Sequence, residues 1–195
     1  LIKKYLDSET KIYELFDSIS DLIGPMQLNH CKFLFYGALR NTIRIESALN
    51  TIIKKKPKNL VLALFFISGY ELLEYSDRKK EKIIHNAVEE AKCIVSTNEV
   101  KFINAVLRKL TEALESQSPK KSLYEYYSHP KWLVDHWINQ FGEKNTEELL
   151  IWNQSIPRLY LYSKNLSEPL VAKLNNVEPK LFELPEKSLQ DPAIK

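Results

Sequence analysis

Ten basic side chains are the groups in this sequence best suited to chemistry: Arg40, Arg44, Lys54, Lys55, Lys56, Lys58, Arg78, Lys79, Lys80 and Lys82. Guanidinium forks grip phosphate oxygens in two-pronged fashion, and ammonium groups bind them as point charges. Arg40 and Arg44 stand four apart, the spacing that puts two side chains on one helix face. Lys54, Lys55, Lys56 and Lys58 crowd around Pro57. Net charge follows the same distribution. Residues 1–29 carry 3 basic and 5 acidic side chains, residues 30–121 carry 17 and 10, and residues 122–195 carry 8 and 10. The overall +3 therefore conceals a middle block of +7, the segment expected to meet a polyanion. A plainer account serves the same residues. They solubilise a solvated surface, and the 54–58 run closes a helix whose dipole favours cations in its last turn.

No catalytic constellation accompanies these charges. The four histidines, His30, His85, His129 and His136, pair with no Cys or other His at ligand spacing. His30 and Cys31 are adjacent, so on a helix they point in different directions. No metal site is expected. Cys31 and Cys93 sit in apolar helical patterns and read as small buried hydrophobes, with one disulfide as the alternative. The motifs of a serine nucleophile elbow and of a P-loop are missing. Gly37 and Gly69 stand alone inside helical patterns, where close packing explains them. The aromatics Phe33, Tyr36, Tyr70, Trp132 and Trp137 could stack on bases, but core or interface packing is the expectation.

The elements that must position the basic residues are helical. Forty-four per cent apolar and 11% aromatic residues in a chain of 195 support a real core, and four glycines suit helices better than hairpins. Ile12, Leu15, Phe16, Ile19, Leu22 and Ile23 recur at helical spacing, and Gly24-Pro25 ends that helix. Asn29 is expected to cap a second helix, followed by a segment with Ile45, Leu49, Ile52 and Ile53. Residues 60–75 are apolar nearly all round and predict the central helix of a bundle. A charged turn over 77–82 leads to a helix carrying Ile83, Ile84, Ala87, Val88 and Ala91. Asn98 is expected to cap the next, with Phe102, Val106, Leu110 and Leu114 on its inner face. Residues 116–121 read as a linker. Beyond it, Pro130 starts a helix that Gly142 ends, and residues 145–154 form another. Residues 159–163 are β-prone, Ser167-Glu168-Pro169 reads as a helix start continuing over 170–175, and residues 177–195 show no period. No apolar run approaches the ~20 residues of a membrane span, and no secretory leader is present. A cytoplasmic protein is expected. The chain opens on Leu1, so it reads as a fragment.

Several stretches resemble one family. Tyr36-Gly37-Ala38-Leu39-Arg40 is similar to the Tyr/Phe-Gly-Val-Leu-Arg of the N-terminal domain in Sun (Fmu, RsmB) type 16S ribosomal RNA cytosine-5 methyltransferases, a NusB-like domain. Ala87-Val88-Glu89 with Ala91-Lys92, and Phe102-Ile103-Asn104-Ala105-Val106-Leu107-Arg108, resemble further stretches of it. Tyr127-Ser128-His129-Pro130-Lys131-Trp132 resembles the segment that joins this domain to the enzyme. Free NusB-type antitermination factors end before such a junction. The family's Asn-Glu ahead of Ala-Val is His85-Asn86 here, and its Arg-Val-Asn strand is Leu161-Tyr162-Ser163. The chain is thus a divergent relative.

The resemblance implies a mainly α protein. Residues 1–121 would be a NusB-like helical RNA-binding domain. Residues 122–195 would supply linker helices and the start of a small, incomplete α/β subdomain. Arg40, Arg44, Lys54, Lys55, Lys56, Lys58, Lys79 and Lys80 would be the RNA contacts. Ribosomal RNA is the implied partner, a protein partner would be compatible with it, and a membrane is not implied. S-adenosylmethionine and paired cysteines would belong to a catalytic domain beyond Lys195. This chain lacks both the Gly-rich loop and the loop thiol that methyl transfer needs, so by itself it is expected to be neither catalytic nor cofactor-binding. The alternative is a non-enzymatic NusB-like antitermination or ribosome-assembly adaptor.

Overall fold

The most apolar stretch of the chain becomes its central helix. In the computed structural model, which describes residues 1–8, 10–75, 79–155, 159–162, 175–178 and 181–184, α5 spans Asn59–Glu74. With nonpolar residues on every side it has no solvent face to offer, so neighbours must cover it all round. Phe65 and Phe66 are 0% and 1% exposed. Around α5 pack α1 (Ile2–Asp7), α3 (Pro25–Arg40), α4 (Thr42–Ile52), α6 (Lys80–Ile94) and α7 (Thr97–Glu115), while α2 (Ile12–Ser20) lies on α3. One core results, from Ile2 through Leu15, Phe35, Ile45, Phe65 and Ile84 to Leu114.

Two glycines permit the closest helix contacts. A Cβ on Gly37 would fall 2.1 Å from the Tyr70 ring, and one on Gly69 would fall 3.0 Å from Ile45. Packing is therefore the role of both glycines. Cys31 is half-buried against the core, but Cys93 is exposed, and both are free thiols. Cys93 follows the buried Ala91 by two residues, about 200° further round α6, which corrects its reading as a buried hydrophobe.

Two helix starts differ from expectation. α3 begins at Pro25, with Gly24 as its N-cap, so Asn29 lies inside the helix. Proline's fixed φ suits the first helical position and its missing N–H costs nothing there. α7 begins after Ser96, not Asn98. Ser96 Oγ accepts from the Glu99 N–H while the Glu99 carboxylate accepts from the Ser96 N–H, a reciprocal cap. Phe102 also leaves the expected inner stripe and is 39% exposed, whereas Ile103, Val106, Leu107, Leu110 and Leu114 are buried. A four-residue step advances 40° beyond a full turn, so a strict four-residue repeat drifts off one face.

The chain forms two compact units, Leu1–Gln154 and Ser155–Lys195. The first also contains α8 (Leu123–Tyr126), capped by Ser122, and α9 (Lys131–Gln154), broken at Gly142 with φ 78°. Gly142 thus ends the first half of α9 as expected, since this backbone region is costly for any other residue. The second unit holds β1 (Leu159–Tyr162), β2 (Asn175–Glu178) and β3 (Leu181–Leu184) in the antiparallel order β1-β3-β2. β1 pairs with β3 from Leu159↔Leu184 to Tyr162↔Leu181, and the β2–β3 ladder is irregular between Asn176 and Glu178. The β-prone reading holds for β1. β3 and the second half of β2 fall within residues 177–195, which show no period because four-residue strands are too short to show an alternation. Of the helix expected over 167–175, residues 167–174 lie outside the described residues, and Asn175 opens β2.

The molecule is therefore mainly α, a helical bundle followed by a short segment with strands.

Candidate nucleic-acid interface

The eight basic residues fall into two groups at opposite ends of α5. Arg40, Arg44, Lys79 and Lys80 gather near its C-terminal end, where Arg44 and Lys80 share a cavity of about 190 Å³ with Leu72, Leu73 and Tyr75. Lys54, Lys55, Lys56 and Lys58 lie in the connection that enters α5. A 16-residue helix rises ~24 Å, so no compact ligand reaches both groups.

Arg40 and Arg44 do not share a helix face, contrary to their spacing. Arg40 is the last residue of α3, Asn41 breaks the helix, and Arg44 belongs to the first turn of α4. The Asn41 amide donates back to the Gly37 carbonyl and Thr42 Oγ1 to those of Ala38 and Leu39, competing with a continuous ladder. Arg40 is exposed. Arg44 is held from within. Its Nε donates to Gln117 Oε1 at 3.1 Å, Gln117 Nε2 returns a bond to the Arg44 carbonyl at 3.0 Å, and the guanidinium lies 4.2 Å over the Tyr126 ring. Burial pulls the Arg44 pKa down, with Tyr126 opposing, and an arginine remains cationic through such shifts. This side chain ties α4 to α8, which leaves it less free for phosphate than Arg40.

Next to that tie, the Tyr127–His129 segment fastens the bundle to α9. Ser128 adopts φ 54°, and its Oγ accepts from the Ile43 N–H at 3.1 Å and the Arg44 N–H at 3.4 Å. A serine 85 residues away thus caps α4, which has no side-chain cap of its own. Gln154 Nε2 donates to the Tyr127 carbonyl at 2.6 Å, and the Tyr127 hydroxyl to Glu147 Oε1 at 3.1 Å. Burial, followed by Glu147, pushes that hydroxyl up to about 12.

At the other end, Lys54, Lys55 and Lys56 are exposed. α4 ends at Ile52 and has no basic residue in its last turn, so the helix-dipole explanation of this run fails. Lys58 stands at the N-cap of α5, the end where a cation is disfavoured, and pairs with Glu99 at 3.0 Å. Glu99 is pulled to about 2, first by the Ser96 hydroxyl and then by Lys58. Lys79 sits 4.8 Å over the Tyr75 ring, and Lys80, 16% exposed, forms an ion pair with Glu115. Arg78 lies outside the described residues, and Lys82 is exposed. Of the eight, Arg40, Lys54, Lys55 and Lys56 are exposed with neither an ion pair nor a cation–ring contact among the described residues.

Of the aromatics, Tyr70 is buried and Trp137 half-buried beside the His129 ring at 6.0 Å. Phe33 and Tyr36 are partly exposed and Trp132 is 71% exposed, so it is not a core residue. No described helix is long and apolar enough to cross a membrane. Among the described residues, no group of three His, Cys, Asp or Glu side chains could hold a metal. The residues that sequence reasoning missed are Gln117, Tyr126 and Ser128 as partners of Arg44 and α4. Each acts across more than 70 positions, a separation at which no local pattern signals contact.

The described residues thus form a helical bundle with exposed cations at two ends of α5. Residues 4–112 match the NusB family, and the chain belongs to it. It is 29% identical over 170 residues to the probable ribosomal RNA small subunit methyltransferase B of Bacillus subtilis, a match over 83% of this chain and 38% of the relative. It is 32% identical over 114 residues to the transcription antitermination protein NusB of Campylobacter jejuni, which covers 55% of this chain and 84% of that protein. A NusB of Laribacter hongkongensis is 30% identical over 79 residues, 48% of its length. The chain thus spans about two fifths of the methyltransferase and about half of the Laribacter protein.

Proposed function

We propose that this chain is the RNA-binding, targeting region of an S-adenosylmethionine-dependent ribosomal RNA cytosine-5 methyltransferase. One observation carries the reading: the likeness to the Bacillus methyltransferase covers 170 residues, well beyond the 109-residue span matched to the NusB family. In this reading residues 1–121 bind ribosomal RNA in the cytoplasm. Residues 122–195 lead toward the catalytic domain, and a protein partner is compatible with the arrangement. The residues present do not fit the methyl donor. Gly24 caps α3, Gly37 and Gly69 lie inside α3 and α5, and Gly142 interrupts α9, so none forms the strand–loop–helix that cradles such a cofactor. No step of methyl transfer is assigned to them.

Arg40 and Lys54, Lys55 and Lys56 are the proposed phosphate contacts, with Lys58 and Lys79 beside them. Arg44 and Lys80 serve mainly to hold the fold. Contacts of this kind release counterions, so log affinity should fall linearly with log salt, by ~0.7 per contact on a single strand. Reversing Lys54, Lys55 and Lys56 to Glu is expected to weaken binding of ribosomal RNA fragments regardless of sequence and to flatten that slope. Reversing Lys131 and Lys144, exposed on α9 outside the basic block, should do much less. Equal losses from both sets would reduce the site to diffuse attraction.

A second reading, a NusB-like adaptor without catalysis, is favoured by the match over 84% of the Campylobacter protein. Reading the parent gene past Lys195 decides between them. A Gly-rich motif followed by Pro-Cys supports the enzyme, and a stop codon supports the adaptor.

A further inference from the structure

Beside the lysine connection lies a cavity of about 80 Å³ between the end of α4 and the start of α5. Lys54 and Lys56 stand at its rim, and Leu49, Ile53 and Pro57 give it apolar walls. Two polar side chains from one face of α4, the half-buried Glu46 and the exposed Asn50, complete it. A phosphate pocket would not contain the Glu46 carboxylate, which repels any anion. Neither Glu46 nor Asn50 has a side-chain hydrogen-bond partner among the described residues. The carboxylate can only accept hydrogen bonds, and the amide can donate beside it.

We propose that this cavity reads one unpaired RNA base that bears an exocyclic amine next to a ring acceptor, and that the base is cytosine. This rests on the RNA-binding reading above and adds a base-selective contact to it. Glu46 accepts from the amine N–H, the usual partnership of a carboxylate with cytosine N4. The Asn50 amide donates to the neighbouring ring nitrogen. Apolar walls cover the faces of the ring, as single-stranded RNA recognition commonly requires. Lys54 and Lys56 then stand where the flanking phosphates emerge. Uracil in the same pose would bring its O4 carbonyl against the Glu46 carboxylate, two acceptors that repel, while the Asn50 amide could still turn to accept from N3–H, so the discrimination falls mainly on Glu46. A cavity this small suits the edge of a single ring better than a bicyclic purine.

The test is fluorescence anisotropy of the 195-residue chain with labelled oligo(C), oligo(U) and oligo(A) of equal length at fixed salt. Binding about tenfold tighter to oligo(C) than to oligo(U), with oligo(A) weaker than oligo(C), is expected. Glu46→Gln removes a negative charge and adds a donor, so binding to every oligonucleotide should rise while the C-over-U ratio falls toward one. Asn50→Ala should lower the same ratio less than Glu46→Gln does, without the general rise. Melting temperatures of both variants close to the parent's would establish that they fold. Equal affinity for oligo(C) and oligo(U), a preference for oligo(A), or a C-over-U ratio untouched by both variants would overturn the base pocket and leave the RNA-binding reading standing. No binding to any oligonucleotide or ribosomal RNA fragment at low salt would overturn both.

Discussion

Single residues decide how closely the helices of this bundle approach. Gly37 is such a position, because the Tyr70 ring occupies the place of its missing Cβ. Alanine would favour the helix intrinsically by ~1 kcal/mol, yet overpacking costs ~1–3 kcal/mol when a ring must move. Gly37→Ala is therefore expected to lower stability by up to ~2 kcal/mol in urea denaturation, and a stabilised variant would contradict this packing. Glu99 gives a pH prediction. Its folded pKa, about 2, lies below the ordinary 4.5, so its contribution is fully present above pH 4.5 and is lost as pH falls through about 2. Because the Ser96 hydroxyl is the larger cause, Ser96→Ala should return the Glu99 carboxyl toward 4.5 by more than Lys58→Ala does. A side-chain carbonyl NMR titration of the two variants measures this directly.

At the scale of elements, the junction between bundle and α9 depends on one serine. α4 has no side-chain cap of its own, and Ser128 supplies one in a backbone conformation that serine rarely adopts. Losing a helix cap costs about 1 kcal/mol. Ser128→Ala should therefore speed amide hydrogen exchange at Ile43 and Arg44, while amides of α5 keep their protection. Unchanged exchange at Ile43 would mean that the cap seen here adds nothing. The same junction explains why the segment resembling the methyltransferase linker has its form. Tyr127 bonds Glu147 and Gln154, Ser128 bonds α4, and Pro130 precedes the first residue of α9.

Across the whole molecule, compactness is divided unequally. The unit Leu1–Gln154 contains the entire hydrophobic core cluster and the tie between α4 and α8. A fragment ending at Gln154 is expected to stay helical and to melt in one cooperative step by circular dichroism. A broad, gradual loss of ellipticity would show that residues 155–195 are needed for that core. The two basic groups are separated by the length of α5, so a single strand touching both must run ~24 Å along the bundle, a span of several nucleotides.

The sequence by itself determined the bundle. Residues 60–75 are apolar on every side, a pattern that can be satisfied only by burial among helices, and α5 is the central helix they form. Gly24-Pro25, Gly142 and the Ser96/Glu99 pair mark helix ends through backbone rules that act locally, although the last went unread in favour of Asn98. The apolar faces of α4, α6 and α7 were likewise legible, because a helix buries residues at fixed spacing. What only the tertiary structure decided is which cations remain free. Arg44 looks like Arg40 in sequence, yet Gln117 and Tyr126 enclose it, and Glu115 claims Lys80. Glu46 and Asn50 gained interest only when the fold set them beside Lys54 and Lys56. Partners 35 to 85 residues apart meet because the core closes around α5, and no local pattern of residue types encodes such a meeting.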